Sequence, residues 1–249
     1  MTRQEKQTNS NTGHPQRHPR RMAGNFFGRR KAKPLKGAQE EAPRTLYPDL
    51  EIDLTSPCPE TLNALFSQHD RVPQAHVLEI GFGGGEHLVH RAGLHPKLGF
   101  IGCEPFVNGM GKAVRAIADE NLTNIRLFGE DATLLLDWLP DASLSRIDLL
   151  YPDPWPKKRH WKRRFVNADN VNRFYRLLQP GGEFRFASDI ESYVNWTLRH
   201  VLDHGGFEWT ALHPDDWHQP WEEWISTRYE QKAVREGRTP AYFIFRRKA

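Results

Sequence analysis

The run of residues 151–164 places an acidic side chain next to a dense cluster of positive charge. It reads Tyr-Pro-Asp-Pro-Trp-Pro-Lys-Lys-Arg-His-Trp-Lys-Arg-Arg, with Asp153 held between two prolines. Six Lys and Arg residues lie within positions 157–164, and Trp155 and Trp161 are interleaved with them. Basic side chains attract phosphates and aromatic rings stack on bases, so this pattern indicates chemistry performed on a nucleic acid. The alternative is an ordinary solvated basic loop.

The position of Asp153 follows from the apolar residues before it. Residues 147–150 are typical of a buried strand. We therefore expect Asp153 at the C-terminal end of that strand, which is the edge where ligands bind in open α/β sheets.

A glycine-rich turn lies between a predicted strand at 76–80 and a predicted helix at 86–94. Gly81, Gly83 and Gly85 occupy alternate positions in it. Glycine lets the backbone approach a ligand closely. The spacing is not the dinucleotide fingerprint, because Glu86 stands where that fingerprint requires a third glycine.

Acidic residues follow four successive predicted strands, at Glu79, Glu104, Asp131 and Asp153. Glu104 comes 23 residues after Gly81, close to the ~20-residue offset at which an acid accepts ribose hydroxyls. A row of carboxylates repels phosphate and suits a cationic ligand rich in hydroxyl groups, so it favours S-adenosylmethionine over NAD or ATP. The alternative for each acid taken singly is a helix cap or turn residue.

Strand-like and helix-like segments alternate from about residue 45 to the end. Strands are predicted at 76–80, 98–103, 125–128, 147–151, 183–187, 207–212 and 241–246. Helices are predicted at 60–69, 86–94, 106–119, 133–139, 167–178 and 190–203. This alternation predicts an α/β, Rossmann-like fold, a seven-stranded and mostly parallel sheet flanked by helices.

Charge and composition divide the chain at about residue 44. Residues 1–44 hold eleven Lys and Arg against three Glu, and the remaining residues hold 24 bases against 28 acids. We expect residues 1–44 to be a disordered basic extension and residues 45–249 to be one domain. The extension either attracts a polyanion or is only solubilising.

Several protein classes are disfavoured by the composition. Two cysteines, Cys58 and Cys103, are too few for a disulfide framework or a four-thiolate metal site. The histidines lack a ligand pattern, so no metal is expected. There is no apolar run of the ~18 residues that a membrane span needs and no secretory signal. We therefore expect a cytoplasmic protein.

The chain resembles the bacterial-type tRNA (guanine-N7)-methyltransferases. Its glycine turn alone would match most class I methyltransferases, whereas the residue 151–160 run and the Thr-Arg-Tyr-Glu tetrad are more specific. The matching segments are residues 78–85, 102–105, 131–132, 151–160, 162–164, 178–182, 187–189 and 227–230.

The resemblance implies roles for individual residues. Cofactor contacts are implied for Glu79, Gly81, Gly83, Glu104, Asp131 and Asp153. Contacts with the guanine nucleotide are implied for Lys157, Asp189, Thr227, Arg228, Tyr229 and Glu230, of which Arg228 and Tyr229 vary in the family. RNA contacts are implied for Arg159, His160, Trp161, Lys162, Arg163 and Arg164. The resemblance also implies tRNA as partner, its variable loop as target, and a monomer or homodimer.

The implied reaction fits the residue types. Guanine N7 carries a lone pair and no proton, so it needs no strong general base. A fixed carboxylate, either Asp153 or Asp189, would stabilise the ring as it becomes cationic, and we assign Asp153 to the catalytic position. Asp189 and Glu230 are candidate readers of the guanine edge. The alternative is that Glu230 only caps a helix or pairs with Arg228.

Two other interpretations stay open at this point. The segment Asp153-Pro154-Trp155 also resembles the Asp-Pro-Pro-Tyr loop of enzymes that methylate exocyclic amines or amides. The fold could also support a non-catalytic RNA-binding module. Trp217, Trp221 and Trp224 have helical spacing and are predicted to pack on the body of the domain.

Overall fold

The computed structural model describes Gly28, Arg30 and residues 45–249. The predicted basic extension therefore lies outside the described residues, apart from Gly28 and Arg30. Residues 45–50 are helical and lead into the domain.

A seven-stranded sheet forms the centre of the domain. Its strands are β1 (Ala75–Ile80), β2 (Leu98–Cys103), β3 (Ile125–Phe128), β4 (Leu144–Leu150), β5 (Leu178–Ser188), β6 (Phe207–Trp209) and β7 (Ala241–Arg247). Their order is β3-β2-β1-β4-β5-β7-β6. Strands β1 to β5 pair in parallel, while β7 is antiparallel to both of its neighbours. The predicted fold, mostly parallel with helices on both faces, is confirmed.

The connections between strands are mainly helices. They are α1 (Glu86–Leu94), α2 (Val107–Asp119), α3 (Ala132–Trp138), α4 (Ala168–Leu177), α5 (Glu191–Asp203) and α6 (Arg228–Arg235). Short 3-10 helices occur at Leu62–Phe66, Lys158–Arg163 and Pro214–Trp217. Among the helices of the described residues, none has the length and apolar character needed to cross a membrane.

Apolar side chains on both faces of the sheet explain the near-continuous hydrophobic runs of the central strands. Neighbouring residues of a strand point to opposite faces. Leu78 and Ile101 accordingly belong to the larger core, whereas Val77 and Phe100 belong to the smaller one. Parallel strands buried on both faces have this composition.

Four local predictions differ from the structure. Residues 60–69 form only the 3-10 helix Leu62–Phe66, and β6 ends at Trp209 rather than at residue 212. Strand β5 begins at Leu178 rather than at residue 183. The tryptophans at 217, 221 and 224 do not share a helix, because Pro220 and the turn at Glu223, with φ of 61°, interrupt the chain.

Candidate active site

The ends of neighbouring strands are joined by backbone hydrogen bonds at one edge of the sheet. Gly81 N donates to Cys103 O at 2.7 Å, and Glu104 N donates to Phe128 O at 3.0 Å. The turns that follow β1, β2 and β3 therefore form a continuous rim. Strand order reverses between β1 and β4, which makes this edge the switch point where ligands bind in such sheets.

Glu104 connects this rim to the glycine turn. Its Oε2 accepts from Gly83 N at 2.7 Å, and its Oε1 accepts from Phe106 N at 2.9 Å. Burial raises the pKa of Glu104, the two backbone hydrogen bonds oppose that rise, and the charges of Asp153 and Glu79 add to it. The acids after three different strands thus act on one another electrostatically.

The glycine turn lies directly against helix α2. Gly83 has a φ of 60°, in the left-handed region that favours glycine. A methyl group added at Gly109 of α2 would lie 2.1 Å from Gly83 O. The small residue therefore lets the helix backbone support the turn.

Besides Glu104, two further predicted cofactor acids have partners within the protein. Asp131 caps α3, with its Oδ1 accepting from Thr133 N at 3.0 Å. Glu79 is 3% exposed, and its Oε2 lies 2.8 Å from His87 Nδ1. Both acids lie at the predicted edge, but their carboxylates also organise the helices that follow.

Three buried side chains offer donor atoms within 4.8 Å of one another: Glu79, His87 and Asp148. Arg146 Nε already donates to Asp148 at 3.0 Å, and His87 hydrogen-bonds Glu79. One oxygen of each carboxylate therefore has a protein partner, while Asp148 Oδ1 and His87 Nε2 are buried without one among the described residues, and the cluster forms a buried charge network.

Asp153 lies in a turn of unusual backbone conformation. Tyr151 and Trp155, on either side of it, have φ values of 49° and 43°. Non-glycine residues adopt this region at a cost of about 1–2 kcal/mol each. Tyr151 N donates to Ala187 O at 2.8 Å and continues the β4–β5 pairing. The turn presents the Asp153 carboxylate at the surface, while the surrounding protein partly desolvates it and raises its pKa.

The basic run folds as the 3-10 helix Lys158–Arg163 and the residues around it. Four of its cationic side chains are exposed: Lys157, Lys158, Arg159 and Lys162. Arg163 lies over the Trp155 ring at 4.9 Å, and His160 contacts the edge of the same ring at 5.9 Å. Trp155 thus packs the loop.

Arg164 departs from its predicted role. It is 1% exposed, and its guanidinium donates to Pro154 O at 3.0 Å and to Ser192 O at 2.7 Å. The guanidinium also lies 4.6 Å from the centre of the Trp161 ring. The expected RNA contact does not fit this burial, and the residue instead anchors the loop to α5.

Trp161 is half-buried in the same anchor. Its ring meets the edge of Trp196 at 5.6 Å, and its Nε1 donates to Pro156 O at 3.3 Å. These contacts hold the loop on α5, and only part of the ring is open to a base.

The tetrad at residues 227–230 starts helix α6 and lies on the glycine turn. Thr227 Oγ1 accepts from Glu230 N at 3.1 Å and caps the helix. The Tyr229 ring lies 3.9 Å from where a side chain on Gly83 would begin, and Arg228 Nε is 3.2 Å from Glu86 Oε1. A segment about 140 positions away in sequence is therefore brought to the cofactor turn.

Several known proteins are similar to this chain in sequence. A family model described as a putative methyltransferase matches residues 73–242. The tRNA (guanine-N(7)-)-methyltransferase of Agrobacterium fabrum is 59% identical over 223 residues, which cover 90% of this chain and 95% of the relative. The chain belongs to the tRNA (guanine-N(7)-)-methyltransferase family. The member from Brucella anthropi is 57% identical and covers 93% of this chain and 98% of its own length.

Solved methyltransferase structures agree with the fold of this family member. The 16S rRNA methyltransferase KamB aligns with a TM-score of 0.52 at 14% identity, over 77% of this chain and 96% of that one. The aminoglycoside resistance methyltransferase NpmB1 aligns with a TM-score of 0.50 at 13% identity, over 76% and 95% of the two chains.

The two predicted guanine readers of this methyltransferase already have protein partners. Asp189 Oδ2 accepts from Arg238 Nε. Glu230 is 5% exposed, its Oε2 accepts from Trp224 Nε1 at 2.8 Å, and its Oε1 accepts from the Tyr242 hydroxyl. The alternative pairing of Glu230 with Arg228 is absent from the structure, because Arg228 pairs with Glu86.

Other residues near the site were not singled out in the sequence. His87 and Arg91, four residues apart, share one face of α1, and His95, four residues further on, is the C-cap residue of this helix. The four-residue spacing can be seen in the sequence, but no sequence pattern predicts which residues these side chains pair with. Trp221 and Trp224 pack on Tyr242, with ring centroids 6.1 and 5.4 Å away, which confirms the packing predicted for them.

Proposed function

We propose that this enzyme transfers the methyl group of S-adenosylmethionine to N7 of a guanine in the variable loop of tRNA, producing 7-methylguanosine. The observation that carries this proposal is the position of Tyr229 on Gly83. This position brings the Thr-Arg-Tyr-Glu tetrad, which is specific to the family, next to the glycine turn and the acids around it. The relatives named tRNA (guanine-N(7)-)-methyltransferase support the same reaction and substrate.

The rim of acids suits the methyl donor. S-adenosylmethionine supplies an electrophilic methyl group on a sulfonium and also carries an ammonium and a ribose. Glu104 follows β2 at the position suited to ribose hydroxyls. Glu79 and Asp153 provide negative charge for the cationic groups, while Gly81 and Gly83 let the backbone come close. Asp131, at the start of α3, completes the set of proposed contacts.

The transfer itself requires positioning more than proton movement. The N7 lone pair forms the new bond to carbon while the carbon–sulfur electron pair stays on sulfur, so no proton is removed. In-line placement of the two reactants is potentially worth ~7–11 kcal/mol. Asp153 would then stabilise the positive charge that the guanine ring gains.

The exposed basic side chains provide the tRNA surface. Lys157 follows directly from the Asp153 turn and suits the phosphate of the target nucleotide. Arg159 and Lys162 extend the positive surface away from the site, with His160, Trp161 and Arg163 forming its packed base. Thr227, Arg228 and Tyr229 are the proposed contacts to the nucleotide beside the glycine turn. Asp189 and Glu230 support them through their bonds with Arg238 and Trp224.

The proposal extends to the cellular compartment and the oligomeric state of the enzyme. We place it in the cytoplasm, in keeping with two free thiols, Cys58 and Cys103. We propose that the enzyme acts as a monomer or homodimer.

Incubation with methyl-labelled S-adenosylmethionine and total tRNA lacking the modification tests the proposal. We expect the label to elute with 7-methylguanosine after digestion to nucleosides, and Asp153→Ala to remove nearly all of it. Label on an adenine amine would favour the exocyclic-amine interpretation instead. No transfer, together with no binding of S-adenosylmethionine by calorimetry, would support a non-catalytic RNA-binding module.

A further inference from the structure

Side chains at one face and the C-terminal end of α1 contact residues 223–224, which precede the tetrad. Glu223 pairs with Arg91 and lies 2.8 Å from His95 Nε2. The next residue, Trp224, packs on His87 with ring centroids 5.4 Å apart. Helix α1 begins at the glycine turn, so this face ties the turn to the residues that lead into α6.

His87 also reaches the edge of the sheet at which the cofactor is proposed to bind. His87 is 3% exposed, and its Nδ1 lies 2.8 Å from Glu79 Oε2. Asp148, held by Arg146, lies in the same buried group. Burial alone would lower the pKa of His87, but the charge and hydrogen bond of Glu79, with the charge of Asp148, raise it. The hydrogen bond between His87 Nδ1 and Glu79 Oε2 fixes the orientation of the Glu79 carboxylate.

Trp224 continues this chain of contacts to the substrate side. Its Nε1 donates to Glu230 Oε2 at 2.8 Å, and the backbone N of Glu230 donates to Thr227 Oγ1, which caps α6. The contacts therefore run from Glu79 through His87 and Trp224 to Glu230.

We propose that His87 and Trp224 are positioning residues that fix the cofactor carboxylate Glu79 and the tetrad relative to each other. This inference rests on the proposed function, because it assumes that Glu79 faces the methyl donor and the tetrad faces the guanine. Methyl transfer depends on the alignment of donor and acceptor. The two halves of the site come from chain segments about 150 positions apart, and this path joins them through side chains.

Four variants test the connection. His87→Leu removes the partner of Glu79, whereas His87→Gln keeps a donor of similar reach. We expect His87→Leu to weaken S-adenosylmethionine binding about tenfold, and His87→Gln to restore most of it. Trp224→Phe keeps the ring but loses the N–H, and we expect it to raise the KM for tRNA about tenfold while cofactor affinity stays near wild type. The double variant His87→Leu/Trp224→Phe should lose less kcat than the product of the single losses, because both break one connection.

Matched controls separate positioning from general stability. His69 bridges Thr123 and Pro96, at 2.6 and 2.9 Å, and Trp138 Nε1 donates to Ser56 O at 2.7 Å. His69→Leu and Trp138→Phe should lower the melting temperature without changing either ligand affinity.

Two results would overturn the inference. One is that the His87 and Trp224 variants behave like these controls; the other is that their kcat losses simply multiply. If wild-type enzyme forms no 7-methylguanosine, the proposed function fails first. The effect of His87→Leu on cofactor binding, measured by calorimetry without tRNA, would still decide the cofactor half of the inference.

Discussion

Glu104 shows how one side chain combines structural and chemical demands. Two backbone N–H groups stabilise its carboxylate, yet burial and two neighbouring acids make its negative charge unfavourable. A cationic ligand relieves that unfavourable charge. If Glu104 lies in the cofactor site as we propose, the site suits a positive ligand, and its uncompensated charge lowers the stability of the ligand-free protein.

Acidification should move stability and cofactor binding in opposite directions. The folded-state pKa of Glu104 is raised, so its contribution to the free energy of unfolding is present at low pH and is lost as pH rises through that pKa. Cofactor binding needs the ionised carboxylate and should weaken as pH falls through the same value. Thermal unfolding of the ligand-free protein and calorimetry, both followed upward in pH from the ordinary carboxyl pKa of 4.5, measure the two trends.

Asp153→Asn should shift that titration. Without the Asp153 charge, the pKa of Glu104 moves down towards its ordinary value. The pH at which cofactor affinity is half lost should then fall, although affinity at pH 7.5 drops about tenfold because one carboxylate is missing. An unchanged midpoint would show that Asp153 and Glu104 do not share a site.

Arg164→Ala should destabilise the fold, in contrast to changes at its exposed neighbours. It leaves Pro154 O and Ser192 O without their buried donor, which should lower the free energy of unfolding by about 2–4 kcal/mol. Arg159→Ala is the matched control, with an expected stability change within about 0.5 kcal/mol and weaker tRNA binding. Urea denaturation measures both, and equal stability of the two variants would contradict the anchoring role.

At the scale of elements, the site depends on how closely α2 approaches the glycine turn. Gly109 is the point of contact, and it leaves no space for a side chain beside Gly83 O. The β2–α2 unit carries Glu104, so the position of this helix also sets the position of that carboxylate.

Gly109→Ala should therefore displace the turn. Relief of a 2.1 Å contact requires backbone movement, and overpacking of this kind typically costs about 1–3 kcal/mol of stability. Cofactor affinity should fall with it. Gly93→Ala is the control, because that exposed helical position has open space around it and should gain about 0.5–1 kcal/mol. Thermal unfolding and calorimetry of both variants give the comparison, and normal cofactor affinity in Gly109→Ala would contradict the close approach.

At the scale of the whole molecule, positive charge is concentrated on the loop beside the site. The described domain carries more acids than bases over residues 45–249, by 28 to 24. Attraction of tRNA therefore depends on where the bases lie, and the exposed positions of residues 157–162 lie next to the Asp153 turn.

Neutralisation of Lys158, Arg159 and Lys162 together should weaken tRNA binding and reduce its salt dependence. Each lost phosphate contact lowers the slope of log K against log salt by about 0.7–0.9. The control replaces three exposed bases elsewhere, Arg71, Lys97 and Arg199. Equal slopes for the two triple variants in filter-binding titrations would show that the loop is an ordinary solvated surface with no special role in tRNA binding.

The amino-acid pattern alone predicts the succession of strands and helices along the chain and the acids at the strand ends. Strand periodicity, glycine turns and proline turns each depend on a few neighbouring residues. They can therefore be predicted directly from the sequence. It also located the Asp153 turn, the glycine turn and the tetrad through motifs that are local in sequence.

Which charged side chains face solvent and which face one another becomes visible only in the folded domain. Arg164 and Arg159 look alike in sequence, yet one is buried on α5 and the other is exposed. The contact of Tyr229 with Gly83 and the pairing of His87 with Glu79 likewise required folding. Partners far apart in the chain, or on different faces of neighbouring elements, are selected by the packing of the sheet and helices, and no local pattern encodes that packing.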